Sequence, residues 1–265
     1  MIRAEPWPFV RSEFYRGEVD STNDWCKRLI IEGSLAKAPA LVWAARQTRG
    51  RGQGANSWWS DGGSLTASVV VDPEALGLAM AIRPLVALGV ASVVVAAVEE
   101  LVPECRAGIR WPNDIEVDGR KLGGVLVEGV VGPTGPRLVI GVGVNVSTRL
   151  DLAPAEVRSM AATLAEAASP PDPRRAILRA ILGRLEALFQ GLTNGDPSLV
   201  ATWNRLDTLL GQTITVQAGN DRFLAVAEGI DPSGGLRIER EGRSQILFAG
   251  RILREEIPDS SRKQG

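Results

Sequence analysis

The chain has 265 residues, 45% of them hydrophobic and 23% charged, with a formal net charge of −1. That supplies core for one large domain or a large and a small one, and the balanced charge excludes general electrostatic adhesion to nucleic acid or anionic membranes. Histidine is absent, which excludes imidazole acid–base catalysis and removes the commonest metal ligand. Chemistry must therefore run on Lys, Arg, carboxylates, backbone donors or an oxygen-bound metal.

Met-Ile-Arg-Ala-Glu-Pro-Trp-Pro at the N-terminus has no basic region followed by an apolar run, so no signal peptide is read there and a cytoplasmic protein is expected. Residues up to about Arg16 read as an extended lead-in. Asp20-Ser21-Thr22-Asn23 then precedes Trp25, Cys26, Leu29 and Ile30, whose spacing predicts an apolar helical face behind an N-cap. Exposed amide N–H groups and hydroxyls at such a helix start also suit a carbonyl or ureido oxygen. Leu41 to Ala45 reads as a buried strand and Leu65 to Val71 as another.

Between these strands runs Gln47-Thr-Arg-Gly-Arg-Gly-Gln-Gly-Ala-Asn-Ser-Trp-Trp-Ser60. Glycines at 50, 52 and 54 leave the backbone free to approach a ligand closely. Arg49 and Arg51 alternate with them, and Trp58 and Trp59 close the segment, a combination suited to an anionic ligand that is covered after it enters. A long helix through Ala79 to Leu101 follows, with a kink expected at Pro84. Its most apolar part, Leu85 to Val98, is too short to span a bilayer and reads as a buried helix. Trp111-Pro112-Asn113-Asp114 predicts a tight turn. Lys121 to Glu128 and Arg137 to Val146 read as paired strands, and the pattern from Leu152 to Asp207 is helical, broken at Pro154, Pro170, Pro171, Pro173 and Pro197. Short strands at 212–218, 222–229, 235–240 and 244–249 fit a small β-barrel. Cys26 and Cys105 form no CxxC pair and indicate neither a disulfide framework nor a zinc site.

Taken in order, Asp-Ser-Thr-Asn at 20–23, Gly-Arg-Gly-Gln through Trp58, Trp-Pro-Asn-Asp at 111–114, Lys-Leu-Gly-Gly at 121–124 and Gly-Val-Gly-Val-Asn at 141–145 resemble the biotin–protein ligases. The resemblance runs from about Asp20 to Ile252 and takes in Gly-Ile-Asp-Pro-Ser-Gly-Gly-Leu at 229–236. It implies an α/β (α+β type) fold related to the class II synthetases and lipoyl transferases: a mixed sheet with helices on one side, then an SH3-like barrel. The expected division is a catalytic domain at 1–208, a barrel at 209–257 and a polar tail at 258–265. It also implies two half-reactions. Biotin's carboxylate attacks the α-phosphate of ATP to give biotinyl-5′-adenylate and pyrophosphate, and a lysine of the biotin carboxyl carrier protein then displaces AMP.

That chemistry brings like charges together, each pair costing roughly 4 kcal/mol at about 4 Å and an effective dielectric near 20, so fixed cations and Mg²⁺ are expected to offset them. The resemblance makes Arg51 and Lys121 the catalytic cations. It places Ser21, Thr22, Asn23, Gln47, Gly52, Gln53, Gly123 and Gly124 with them on biotin. Gln53, Gly54, Ala55, Asn56, Trp58, Arg110, Trp111, Asn113 and Asn145 fall to ATP, and Asp114 to Mg²⁺. Trp59 is expected to be a core residue. Family members commonly dimerise, and the sequence leaves a homodimer open.

Other patterns carry less. Gly50 to Ala55 matches G-x-G-x-x-G/A without the helix that a dinucleotide site requires. Ser34-Leu35-Ala36-Lys37 matches S-x-x-K with no K-T-G after it, and Asn145-Val146-Ser147 is a sequon without a secretory signal. Lipoate or octanoate transfer on a related fold is disfavoured by Gly-Arg-Gly and Trp-Pro-Asn-Asp. About twenty residues before the Ser-Thr-Asn site leave no room for the DNA-binding domain of a biotin-sensing regulator, so neither DNA nor membrane binding is expected.

The family commonly has a basic residue where Gln53 stands and often Gly-Arg at Ala55-Asn56, and Arg110 replaces a more usual lysine. One loop cation fewer predicts faster loss of biotinyl-adenylate than from relatives with two loop arginines. Release rates should fall in Gln53→Arg; equal rates in the two proteins refute the expectation.

Overall fold

The computed structural model describes residues 5–35, 37–54, 56–79, 82–164 and 172–254. Ala55, Pro170, Pro171 and the tail at 258–265 lie outside the described residues. The lead-in is strand β1 (Ser12–Val19), followed by α1 (Thr22–Ile31) and β2 (Ala40–Gln47), and β1 pairs with β2 in parallel across that helical crossover. Strands β3 (Gly50–Arg51) and β4 (Ser57–Trp58) form a separate two-stranded flap. Then come β5 (Ser64–Val71), α2 (Arg83–Leu101), β6 (Ala107–Arg110), β7 (Asp114–Val117), β8 (Arg120–Gly132) and β9 (Gly135–Asn145). The main sheet has seven strands in the order β1-β2-β5-β9-β8-β7-β6, antiparallel after the first pair.

Helices lie on both faces of this sheet, not on one. Successive strand side chains point to opposite faces. Leu41 and Trp43 of β2, Leu65, Ala67 and Val69 of β5, and Leu138, Ile140 and Val142 of β9 therefore join the larger core with α2. The alternate residues Ala40, Val42, Ala44, Val70 and Val139 pack on Trp25, Cys26 and Ile30 of α1.

The remaining helices are α3 (Ala155–Met160), α4 (Pro173–Asn194) and α5 (Pro197–Leu206). Prolines stand where a missing N–H costs least: Pro154 caps α3, and Pro173 and Pro197 sit in the first turns of α4 and α5. Pro84 likewise opens α2, so the expected kink is absent. At 19 residues α2 is long and apolar enough by composition to cross a bilayer, which corrects the shorter reading. Its length is instead covered by the sheet, α4 and α5. An apolar perimeter suits a helix buried along most of its length. The α4 contact is close enough that a methyl at Gly89 would lie 2.6 Å from Leu188 Cδ1.

Strands β10 (Thr213–Ala218), β11 (Asp221–Ile230), β12 (Leu236–Arg240), β13 (Arg243–Leu247) and β14 (Arg251–Leu253) form an antiparallel sheet ordered β13-β12-β11-β10-β14. Its inward residues Ile214, Val216, Leu236 and Ile238 belong to the same core cluster as α2. The Asn204 amide of α5 grips β11 from both sides, donating to Ile230 O (2.9 Å) and accepting from Ile230 N (2.8 Å).

Asp207 ends α5 at this junction. Its Oδ1 accepts from Leu209 N at 2.9 Å, while Oδ2 is buried without a hydrogen-bond partner. Burial pushes its pKa up to about 6. A folded-state pKa above the unfolded value of roughly 3.9 means that the fold binds this proton more tightly. The contribution is therefore fully present below about pH 4 and lost as pH rises through about 6. Asp207→Asn should raise the melting temperature at pH 7.5 and flatten its rise between pH 7.5 and 5. Thermal unfolding at both pH values tests this, and an unchanged slope contradicts it.

Candidate active site

The face that carries α1 is stripped of side chains in its middle. Strand register lines up Ala44, Thr66, Gly143, Gly124 and Asp114 across five strands, with Val42, Ser68, Gly141 and Leu126 in the next row and Ala40, Val70, Val139 and Glu128 beyond it. The bare positions are used. A methyl at Gly143 would lie 2.8 Å from Trp58 Cε2, and one at Gly141 would collide with the Asn23 amide oxygen.

The start of α1 borders this floor. Ser21 caps the helix, its hydroxyl accepting from Asp24 N at 3.4 Å. Thr22 donates through both N (2.7 Å) and Oγ1 (3.1 Å) to Gln47 Oε1. Ser68 donates to Thr22 Oγ1 at 2.8 Å or to Asn23 Oδ1 at 2.7 Å. Asn23 Nδ2 donates to Glu128 Oε2 at 2.9 Å. Both ends of the Asn23 amide thus have partners within the fold. Ser21, Thr22 and Gln47 are buried beside it.

The flap crosses above. Gly52 N donates to Asn56 O at 2.8 Å and closes its turn, while Gln53, Gly54 and Asn56 are exposed at the tip. Gly54 has φ +63°, a conformation that glycine adopts without strain. Trp58 rests on Gly143 with its Nε1 buried and unpartnered. Trp59 is half-buried like Trp58, so burial does not separate them as expected.

Arg51 Nη1 reaches Asp24 Oδ1 at 2.9 Å and Glu128 Oε1 at 3.1 Å. Lys27 Nζ lies 2.7 Å from Glu128 and 3.2 Å from Asp24. Burial works to raise the Glu128 pKa, but hydrogen bonds from Lys27 and Asn23 and the Lys27 and Arg51 charges hold it below the ordinary carboxylate range. The Asp24 hydrogen bond raises that of Arg51. The four groups form a closed set of two cations and two anions.

Lys121 stands toward the other end of the floor, half-buried, with Nζ 2.6 Å from Asp114 Oδ1 and 5.9 Å from the Trp58 ring centre. Arg51, against Glu128, and Lys121, beside Trp58, therefore lie over the same sheet face. A methyl at Gly124 would stand 3.4 Å from Asp114 Oδ1 and 3.6 Å from Lys121 Cε; one at Gly123 would meet Gly143 O at 2.6 Å, within the β8–β9 pairing. Asn113 Nδ2 donates to Val125 O at 2.7 Å and pins the tight turn to β8.

Other expected contacts are engaged elsewhere. Trp111 is buried and donates to Gly234 O at 3.0 Å, tying the turn to the small sheet, and Arg110 reaches Leu253 O at 3.2 Å. Burial lowers the Arg110 pKa. Asn145 donates to Ala162 O (3.0 Å) and accepts from Thr148 (3.3 Å). Asp114 also faces Arg254 at 3.5 Å, and no group of three metal-ligating side chains occurs among the described residues. Asp114 is thus shared between Lys121 and Arg254.

Sequence reasoning missed Asp24, Lys27, Ser68, Glu128 and Arg254. Glu128 alone left a signal, as a carboxylate in an otherwise apolar strand. A surface depression of about 520 Å³ lined by Tyr15, Trp43, Arg174 and Arg175 opens on the opposite face, away from these groups.

Residues 17–145 match the biotin/lipoate A/B protein ligase family, and residues 209–253 match the biotin protein ligase C-terminal domain. The bifunctional ligase/repressor BirA of Bacillus subtilis is 30% identical over 83% of this chain and 67% of its own length. The biotin–[acetyl-CoA-carboxylase] ligase of Mycobacterium tuberculosis is 29% identical over 80% of this chain and 78% of its own. The fold of the Aquifex aeolicus biotin protein ligase, solved with biotin and ATP, superposes with a TM-score of 0.77 at 24% identity, covering 92% of this chain and 98% of that one. Matched along both its catalytic and C-terminal segments, the chain belongs to the biotin protein ligases of the biotin/lipoate A/B family.

Proposed function

We infer that the chain is an ATP-dependent, AMP-forming biotin–[biotin carboxyl carrier protein] ligase. It activates biotin as biotinyl-5′-adenylate and transfers the biotinyl group to a carrier lysine. The observation that carries this reading is the placement of Arg51, against Glu128, and of Lys121, beside Trp58, over one sheet face made bare by Gly124, Gly141 and Gly143.

In this reading Ser21, Thr22 and Gln47 bind the biotin ring system, with Gly52 and Gly124 allowing close approach. Arg51 and Lys121 exchange their carboxylate partners for the biotin carboxylate and the α-phosphate. Trp58 leaves Gly143 to cover the adenylate, joined by the flap residues Gln53, Gly54, Ala55 and Asn56. Such cover excludes the water that would hydrolyse the mixed anhydride. Asn113 positions the turn beside the nucleotide, and Mg²⁺ enters on the ATP phosphates. The C-terminal sheet from residue 209 is a separate domain braced on the catalytic one, the protein is cytoplasmic, and neither DNA nor membrane is a partner.

Incubation with biotin, α-labelled ATP and a carrier domain tests the assignment; no labelled adenylate and no biotinylated carrier would end it. Lys121→Met should lower adenylate formation by about a hundredfold or more, the scale for losing a group that stabilises transition-state charge. An adenylation rate within a factor of about two of wild type would remove Lys121 from this role. Gly143→Ala should lift Trp58 off the floor, changing tryptophan emission of the free protein and slowing adenylation. Emission identical to wild type contradicts the packing.

A further inference from the structure

Arg51 is held by two carboxylates, yet it can leave without stranding a charge. If the guanidinium swings away, Glu128 keeps Lys27 at 2.7 Å and Asn23 Nδ2 at 2.9 Å, and Asp24 keeps Lys27 at 3.2 Å. Arg51 could compensate the same two carboxylates if Lys27 left; what separates the two cations is their anchoring. Lys27, Asp24 and Glu128 stand on α1 and β8, within the packed body, whereas Arg51 stands on the two-residue strand β3 of the flap. Among the described residues its hydrogen bonds all run from Nη1, which leaves the Nη2 and Nε edge for a planar, bidentate anion.

We propose that Asp24 and Glu128 are positioning residues that form a carboxylate latch: they hold Arg51 over the empty site and compete with the substrate carboxylate for it. Lys27 keeps the latch neutralised after Arg51 transfers. The inference rests on the reading of Arg51 as the group that takes the biotin carboxylate. Latch strength then sets affinity for anionic ligands and has no effect on neutral ones. Asp24 is the member to weaken, because Glu128 also orients Asn23 and thereby the floor.

The test is equilibrium titration of the full chain with biotin and with biotinol, its uncharged alcohol, in wild type, Asp24→Asn, Arg51→Gln and the double variant. Asp24→Asn should tighten biotin about two- to fivefold, the range for releasing a partly exposed ion pair, and leave biotinol unchanged. The gain should vanish in the Arg51→Gln background. A gain that persists without Arg51 is a general field effect and overturns the latch, as does biotin affinity unaltered by Asp24→Asn while Arg51→Gln weakens it. Arg51→Gln binding biotin like wild type overturns the reading of Arg51 itself. Equal tightening of biotin and biotinol assigns Asp24 to packing and also refutes the proposal.

Discussion

The molecule depends on a sheet whose two faces are built for different purposes by the same strands. Because side chains alternate, β9 can place Leu138, Ile140 and Val142 in the core while presenting Gly141 and Gly143 to the other side. The apolar face anchors the fold through α2. The stripped face gives Asn23 and Trp58 backbone to rest against. A one-residue slip of register would exchange the two faces, so hydrophobic burial on one side fixes the geometry of the site on the other.

Charge is the second constraint. The proposed reaction joins two anions and needs cations at their meeting point, but unpaired buried cations are costly. Here each candidate cation rests on carboxylates: Arg51 on Asp24 and Glu128, Lys121 on Asp114. Partner exchange keeps the local charge compensated, and the part-exposure of these pairs keeps the exchange cheap. The flap is correspondingly small, two residue pairs joined by a glycine-bearing turn and held down by an arginine and a tryptophan.

The small C-terminal sheet is tied into the same region. Trp111 and Arg110 reach it through Gly234 and Leu253, and Arg254 returns to Glu116 at 2.9 Å and to Asp114. The tight turn that carries Asp114 is thus fixed from β8 on one side and from the C-terminal sheet on the other. Its two large polar-tipped residues, Arg110 and Trp111, serve that joint.

Local chemistry in the chain was enough for the element order, the helix start at Ser21, the glycine flap, the Trp-Pro-Asn-Asp turn and the β8–β9 pair, because caps, turns and strand alternation act over a few residues. It also sufficed, through five short motifs in order, for the family. What lay beyond it were relations between distant positions. That α1 covers the opposite face from α2, that Asn23 and Asn145 have internal partners, and that Glu128 closes on Arg51 all depend on contacts between positions 17 to 105 residues apart. A motif names the residue types that a site uses; only packing in three dimensions fixes which of them are left free to touch a ligand, since a buried amide takes whichever partner the fold brings to it.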